Sequence, residues 1–209
     1  AVGGCGPQVA EKVKKHAEAI KVGEGMGEGV EMGPVISAKA KDRIVGLIDD
    51  AEKRGSKVVL DGRGLTVPGY ENGHFLGPTV LDDVPLDAPV YTEEVFGPVL
   101  AIVHADTYEE ALKIVNAQPF GNGSAIFTND GGVARRFTLD VEAGMVGVNV
   151  PIPTPVAFYS FGGWKESLLG DTHIHGPEGV TFYTRAKAIT ERWPTEKTYA
   201  ATMSFQREE

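Results

Sequence analysis

Val99-Leu100-Ala101-Ile102-Val103, Ser124-Ala125-Ile126-Phe127-Thr128 and Met145-Val146-Gly147-Val148-Asn149-Val150 are three short apolar runs, and what separates them decides the fold. Between the first two lies Thr107-Tyr108-Glu109-Glu110, a capping box with Thr107 as N-cap and Glu110 at the third helical position. The helix it opens carries Ala111, Ile114 and Val115 on one face and ends near Pro119. Between the second run and the third, Val133, Phe137 and Val141 fall at helical spacing within 133–143. Strand, helix, strand, helix, strand at such short spacing predicts parallel pairing through right-handed crossovers, and hence an α/β domain.

Upstream of the first run stands Thr92-Glu93-Glu94-Val95-Phe96-Gly97-Pro98. Proline lacks an N–H donor and disfavours the helical region for the residue before it, so this is predicted to be an irregular segment entering a strand. Positions two apart point the same way along an extended backbone. Glu94 and Phe96 are therefore predicted to face one ligand, the carboxylate accepting hydroxyl hydrogen bonds and the ring stacking on a flat group. The same residues also fit a solvated glutamate pair beside a core phenylalanine.

Nearer the N-terminus, Val9, Val13, Ala17 and Ile20 form a helical stripe over Gln8 to Lys21. The glycine cluster Gly23 to Gly29 follows that helix rather than a strand. It matches no phosphate-loop spacing, and Glu24 and Glu28 would repel a phosphate, so it is predicted to be a flexible acidic loop. Ser37 is the N-cap of a second helix with Ala40, Ile44, Leu47, Ile48 and Ala51 inward, closed by Arg54-Gly55. Short strands are expected at Lys57 to Leu60, Phe75-Leu76 and Thr79 to Leu81, with turns between them.

Downstream, Pro151, Pro153 and Pro155 forbid a regular ladder. Phe158 to Lys165, rich in aromatics and glycine, is either a binding wall or plain packing. Val180 to Thr184 and Ala186 to Thr190 alternate as half-exposed strands, of the kind that pair with a sheet edge of another subunit. His173 and His175 form an HxH pair that no cysteine or carboxylate cluster completes, so no metal site is predicted.

The composition, 42% apolar and 23% charged over 209 residues, is that of an ordinary soluble protein with a sizeable core. A net charge of −9 argues against nucleic acid or an anionic membrane surface as partner. The single cysteine, Cys5, excludes an internal disulfide and points to a reducing compartment. No apolar stretch approaches the ~20 residues of a membrane span. A start at Ala1, without Met or an apolar leader, reads as a processed or excised piece.

The order of several motifs resembles the aldehyde dehydrogenase superfamily, in the C-terminal part of its catalytic region. They are Gly33-Pro34-Val35-Ile36, Gly77-Pro78-Thr79-Val80-Leu81, Glu93 to Leu100, Glu109-Glu110-Ala111, Phe120-Gly121-Asn122-Gly123, Phe127-Thr128 and Phe161-Gly162-Gly163-Trp164-Lys165. Within it, Gly121 to Thr128 and Gly147 to Pro153 look most like the CoA-acylating methylmalonate-semialdehyde dehydrogenase branch. The resemblance implies a three-layer catalytic domain with a mostly parallel sheet and a C-terminal oligomerising strand. Residues 1–179 would be a catalytic-domain portion, 180–194 oligomerisation strands and 195–209 a polar tail, with the N-terminal cofactor domain absent.

The resemblance also implies roles. Glu94 falls on the glutamate that hydrogen-bonds the nicotinamide ribose hydroxyls of NAD, and Phe96 on an aromatic near the nicotinamide. Phe161 falls on a position lining the substrate tunnel, with Asn149 at the same entrance. The family's nucleophilic cysteine, main glutamate base and oxyanion-hole amide all precede the matched region, so no catalytic residue is assigned here. Cys5, in Gly3-Gly4-Cys5-Gly6, does not match the nucleophile's motif. Water-using members carry a glutamate after the Trp164-Lys165 position; here Leu168 to His173 stands instead, with Glu166 and Glu178 nearby, which suits CoA as thioester acceptor. The implied function is oxidation of an aldehyde or semialdehyde by NAD to an acyl-CoA in a homodimer or homotetramer, in a bacterial cytoplasm or the mitochondrial matrix. The 209 residues alone would be inactive. The rival class is a non-catalytic assembly module of the same fold.

Overall fold

The computed structural model describes residues 1–191 and 193. A 3-10 turn, Gly3–Cys5, leads into α1 (Gly6–Glu18), with Pro7 in the first turn, where its missing N–H would be unsatisfied anyway. Ala10, Val13 and Ala17 form its packing face against Val80 and Ile102, while Val9 is exposed. The inward stripe is thus one position later than predicted at its start, and Ile20 lies beyond the helix end. The glycine-rich loop that follows is closed on itself: the Gly23 N–H donates to the Met32 carbonyl at 3.0 Å and Lys21 Nζ to the Glu28 carbonyl at 2.7 Å.

In α2 (Ala38–Lys53), Ser37 Oγ accepts from the Ala40 N–H at 3.2 Å, the predicted cap. Ile44, Ile48 and Ala51 are fully buried. Gly55 ends the helix at φ +104°, with Ser56 N–H on the Ala51 carbonyl and Gly55 N–H on the Glu52 carbonyl, both 3.0 Å. This paired closure needs a left-handed residue, and glycine adopts that conformation without a Cβ clash. Then come β1 (Lys57–Leu60), β2 (Thr79–Asp82), the four-residue α3 (Pro89–Thr92) and β3 (Val99–Ala101). The sheet order is β1-β2-β3, antiparallel then parallel. The α2 face packs on it with Leu76, Leu81, Val84, Ala88 and Val90. Each such aliphatic side chain buried contributes about 1.5–3 kcal/mol.

Phe75-Leu76 is buried but is not a strand. That segment is held loop to loop, by Val35 N–H on the His74 carbonyl and Gly77 N–H on the Gly62 carbonyl, both 2.9 Å.

The second half is α4 (Tyr108–Asn116), β4 (Phe120–Gly121), β5 (Gly123–Ile126), α5 (Gly131–Asp140) and β6 (Met145–Val148). Thr107 Oγ accepts from the Glu110 N–H at 3.2 Å. The Glu110 carboxylate accepts from the Asp106 N–H at 2.8 Å, one residue before the usual reciprocal bond. Asp130 caps α5 on the N–H groups of Gly132 and Val133. β5 and β6 pair in parallel through α5, the predicted βαβ unit, over Phe137, Val141 and Ala143.

Two expectations need correction. Among the described residues there is no single, mostly parallel sheet: β2–β3 and β5–β6 are parallel, β1–β2 and β4–β7 (Trp164–Lys165) antiparallel, and β3 does not pair with β5. And Val180 to Thr184 is not a strand, because α6 spans Pro177–Tyr183. Gly176 at φ +67° turns the chain and Pro177 at the first helical position presets the dihedral. Thr181 and Thr184 then return hydroxyl bonds to the carbonyls four residues back, which overrides their β-favouring alternation. Residues 186–190 are exposed and in no ladder. Arg192 and the expected tail, 195–209, lie outside the described residues. No helix among the described residues is long and apolar enough to cross a membrane.

Candidate functional site

α3 ends at Thr92, and the chain then runs irregularly to β3, as the Gly97-Pro98 pair requires. This places Glu94 on the wall of a cavity of about 540 Å³, with Tyr91, Thr92 and Glu93 from its own segment. The facing wall is Gln118, Phe120, Asn122, Glu166 and Ser167. Glu94, Glu166, Asn122 and Ser167 thus bring two carboxylate residues, an amide and a hydroxyl to one cleft of mixed character, which Tyr91 and Phe120 also line. The segment is fixed from behind. The Arg43 guanidinium on α2 donates to the Glu94 carbonyl at 3.3 Å and to the Val95 carbonyl.

Phe96 is 79% exposed, which removes the alternative of a core phenylalanine. Its backbone has φ +50°, in the left-handed region, so the extended alternation assumed for Glu94 and Phe96 does not apply. Glu94 lines the cavity and Phe96 is not among its lining residues. Next to it, a Cβ on Gly97 would lie 2.5 Å from Ile44 Cδ1, so the backbone here rests directly on the core.

Asn149 and Phe161 are not in that wall either. Asn149, at φ +56° after β6, accepts from the Thr128 N–H at 2.9 Å and donates to the Thr128 carbonyl at 3.0 Å. Its carboxamide extends the β5–β6 ladder by one rung. Phe161 stacks on His175, ring centroids 4.4 Å apart and 2° from parallel. The aromatic loop nevertheless reaches the cavity: a Cβ on Gly163 would sit 3.1 Å from Asn122 Cα, and the Gly121 N–H donates to Ser167 Oγ at 3.2 Å. Close approach at a glycine is what lets this loop form part of the wall.

The loop is also anchored by Lys165, at φ +54°. Its Nζ donates to the Asn116 carbonyl at 2.6 Å and the Gln118 carbonyl at 3.1 Å, and pairs with Glu142 at 2.7 Å. Arg43, Lys165 and the far wall have no local pattern in the sequence, since their hydrogen bonds to main-chain groups span 46 to 52 positions and the Lys165–Glu142 pair spans 23. The quoted Phe161 to Lys165 motif was the one signal pointing to Lys165.

His173 and His175 do not converge: His173 Nδ1 is 3.6 Å from Glu178 and His175 is on Phe161. Cys5 is exposed at the N-cap of α1, its Sγ 3.0 Å from the Val2 carbonyl. A different group converges at the end of β2, where His104 Nε2 is 2.6 Å from Asp82 and 3.4 Å from Asp83, and Lys57 is 2.6 Å from Asp83. The hydrogen bond with Asp83 holds the Lys57 ammonium above its ordinary range and lowers the Asp83 carboxyl. A local cation already balances this cluster.

The family model described as "Aldehyde dehydrogenase family" matches residues 4–189. A malonate-semialdehyde dehydrogenase of Pseudomonas aeruginosa is 49% identical over 94% of this chain and 40% of its own length. The mitochondrial, acylating methylmalonate-semialdehyde/malonate-semialdehyde dehydrogenase of Bos taurus is 46% identical over 91% of this chain and 35% of its own. A Sinorhizobium meliloti protein crystallised with NAD, described as a methylmalonate-semialdehyde dehydrogenase, superposes with TM-score 0.89 at 47% identity. It is covered over 93% of this chain and 40% of its own. The chain thus spans well under half the length of these relatives.

Proposed function

The chain belongs to the aldehyde dehydrogenase family, and from that premise we propose that it is the C-terminal catalytic portion of an NAD-dependent, CoA-acylating semialdehyde dehydrogenase. Glu94 on the cavity wall carries the reading, with its backbone held by Arg43. The carboxylate accepts hydrogen bonds from the two hydroxyls of the nicotinamide ribose, and the exposed ring of Phe96, two residues on, flanks the nicotinamide. Bound NAD supplies the hydride acceptor. In the reaction a cysteine thiolate adds to the aldehyde carbon, hydride leaves that carbon, and the resulting thioester is transferred to the thiol of CoA. The nucleophile and the oxyanion donor are expected outside these 209 residues. This chain's part is to orient the cofactor through Glu94 and to shape the substrate entrance with the loop around Phe161 and Asn149. The similarity to relatives that act on malonate and methylmalonate semialdehyde supports those substrates, and an acylating relative supports CoA.

The test is a chimera that joins these residues to the N-terminal portion of the Pseudomonas aeruginosa relative. With malonate semialdehyde and CoA it should form NADH and an acyl-CoA, while the 209 residues alone form neither. Glu94→Ala in the chimera should lower kcat and raise the KM for NAD. Unchanged kinetics in that variant would remove Glu94 from the site, and an NADH-forming chimera that yields free acid would remove CoA.

A further inference from the structure

The aromatic loop, 158–163, is backed by the segment 173–178, and the two meet at three places in antiparallel order. His173 lies against Gly162 and Gly163: its Nε2 donates to the Gly163 carbonyl at 3.4 Å, and a Cβ on Gly162 would sit 2.6 Å from its Cδ2. His175 stacks on Phe161, with 4.4 Å between ring centroids and 2° between planes. Gly176 lies against Tyr159 and Ser160, where a Cβ would be 2.5 Å from the Tyr159 carbonyl carbon. The backing segment is itself held. The Glu178 carboxylate accepts from the His173 N–H at 2.9 Å, and the Glu178 N–H donates to Ser160 Oγ at 3.4 Å, which ties the first turn of α6 to the loop.

The two histidines therefore brace one loop at neighbouring points, His173 on its glycine pair and His175 on its ring. The second contact restrains an orientation that the backbone alone leaves loose. Rotation of a phenyl ring about its Cβ–Cγ bond is broad and only two-fold. A parallel ring 4.4 Å away narrows that range, because tilting Phe161 would drive its edge into the imidazole. Phe161 stays half-buried, with the imidazole over one face.

We propose that His175 is a positioning residue: it fixes the plane of the Phe161 ring, and through that ring the fit of the aldehyde at the substrate entrance. This rests on the reading of the loop around Phe161 as a wall of that entrance. The role needs a flat side chain at position 175, and it acts on the aldehyde rather than on NAD, because Phe161 is not among the residues lining the Glu94 cavity.

The experiment uses the chimera with the N-terminal portion of the Pseudomonas aeruginosa relative. His175→Leu keeps an apolar side chain and loses the flat face, whereas His175→Phe keeps a flat ring. His175→Leu should raise the KM for malonate semialdehyde by roughly threefold to tenfold, with kcat and the KM for NAD unchanged. His175→Phe should restore the KM. In the double variant Phe161→Leu/His175→Leu the KM should match that of Phe161→Leu alone, because the stack is lost only once. Where His175→Leu does not fold, His175→Met carries the same comparison. Equal KM values in the leucine and phenylalanine variants, a parallel rise in the KM for NAD, or additive effects in the double variant overturn the proposal. A raised aldehyde KM in Phe161→Leu beside an unaltered one in His175→Leu overturns it alone. An unaltered aldehyde KM in Phe161→Leu removes Phe161 from the entrance, and the proposal falls with that reading.

Discussion

Arg43 and Glu94 stand 51 positions apart, yet the Arg43 guanidinium donates to the Glu94 carbonyl at 3.3 Å. The contact holds the main chain and leaves the carboxylate to the cavity. A long side chain from a core-packed helix therefore sets the direction of a loop residue. Replacing it by methionine keeps the aliphatic stem and removes the donors. Arg43→Met should cost about 1 kcal/mol in urea unfolding. In the chimera it should reproduce part of the Glu94→Ala defect in NAD KM, and a normal KM would show that the loop holds its shape without the clamp.

Gly97 rests on Ile44, where an added Cβ would lie 2.5 Å from Cδ1. Gly97→Ala should therefore destabilise by about 1–3 kcal/mol through overpacking. Ile44→Val removes Cδ1 and costs about 0.5–1.5 kcal/mol by itself. Combined, the two should cost less than their sum, because the second substitution makes room for the first. Additive losses in denaturant titrations would mean that the clash is relieved by loop movement instead.

Acid sensitivity should be partly local. The Asp61 carboxyl is lowered chiefly by its hydrogen bond with Arg63, and Arg63 is itself held further into its protonated range by Asp61, Asp49 and Glu52. A carboxyl whose folded value lies below its unfolded one stabilises above the unfolded value, near pH ~4, and loses that contribution as pH falls toward the folded value. Asp61→Asn should thus lower the melting temperature at neutral pH and flatten its decline below about pH 4. Parallel curves for the two proteins would refute a role for this pair.

Features set by neighbours in sequence were legible: the caps at Ser37 and Thr107, the glycine closure at Gly55, the βαβ unit through α5, and the irregular entry at Gly97-Pro98. Two local patterns misled. Val180 to Thr184 alternates like a strand, but Gly176-Pro177 starts a helix there and its threonines bond backward along it. Glu94 and Phe96 have strand spacing, but the left-handed backbone at Phe96 breaks the parity on which their shared face depended. Phe161 and Asn149 were placed by resemblance to a family, and packing turns their side chains to His175 and Thr128. Arg43 left no signal, and Lys165 showed only as the end of the Phe161 to Lys165 motif, because long side chains reaching distant carbonyls leave no period in the sequence.

Lys165 gives the sharpest of these long-range tests. Its side chain is only 21% exposed and gathers the Asn116 and Gln118 carbonyls at the end of α4, together with Glu142. The Asn116 side chain continues the tie, donating to the Asp140 carbonyl and accepting from the Glu142 N–H, both 2.9 Å. Lys165→Met would leave two carbonyls without their charged donor and should cost about 2 kcal/mol. Glu142→Gln, which removes a half-exposed ion-pair partner and leaves both carbonyl bonds, should cost less than about 1 kcal/mol. Because Ser167 hangs from the same turn, the Gly121 amide should exchange faster in Lys165→Met and stay slow in Glu142→Gln. Equal losses in the two variants would assign the anchor to the carboxylate, and an unchanged Gly121 amide in both would detach this clamp from the cavity wall.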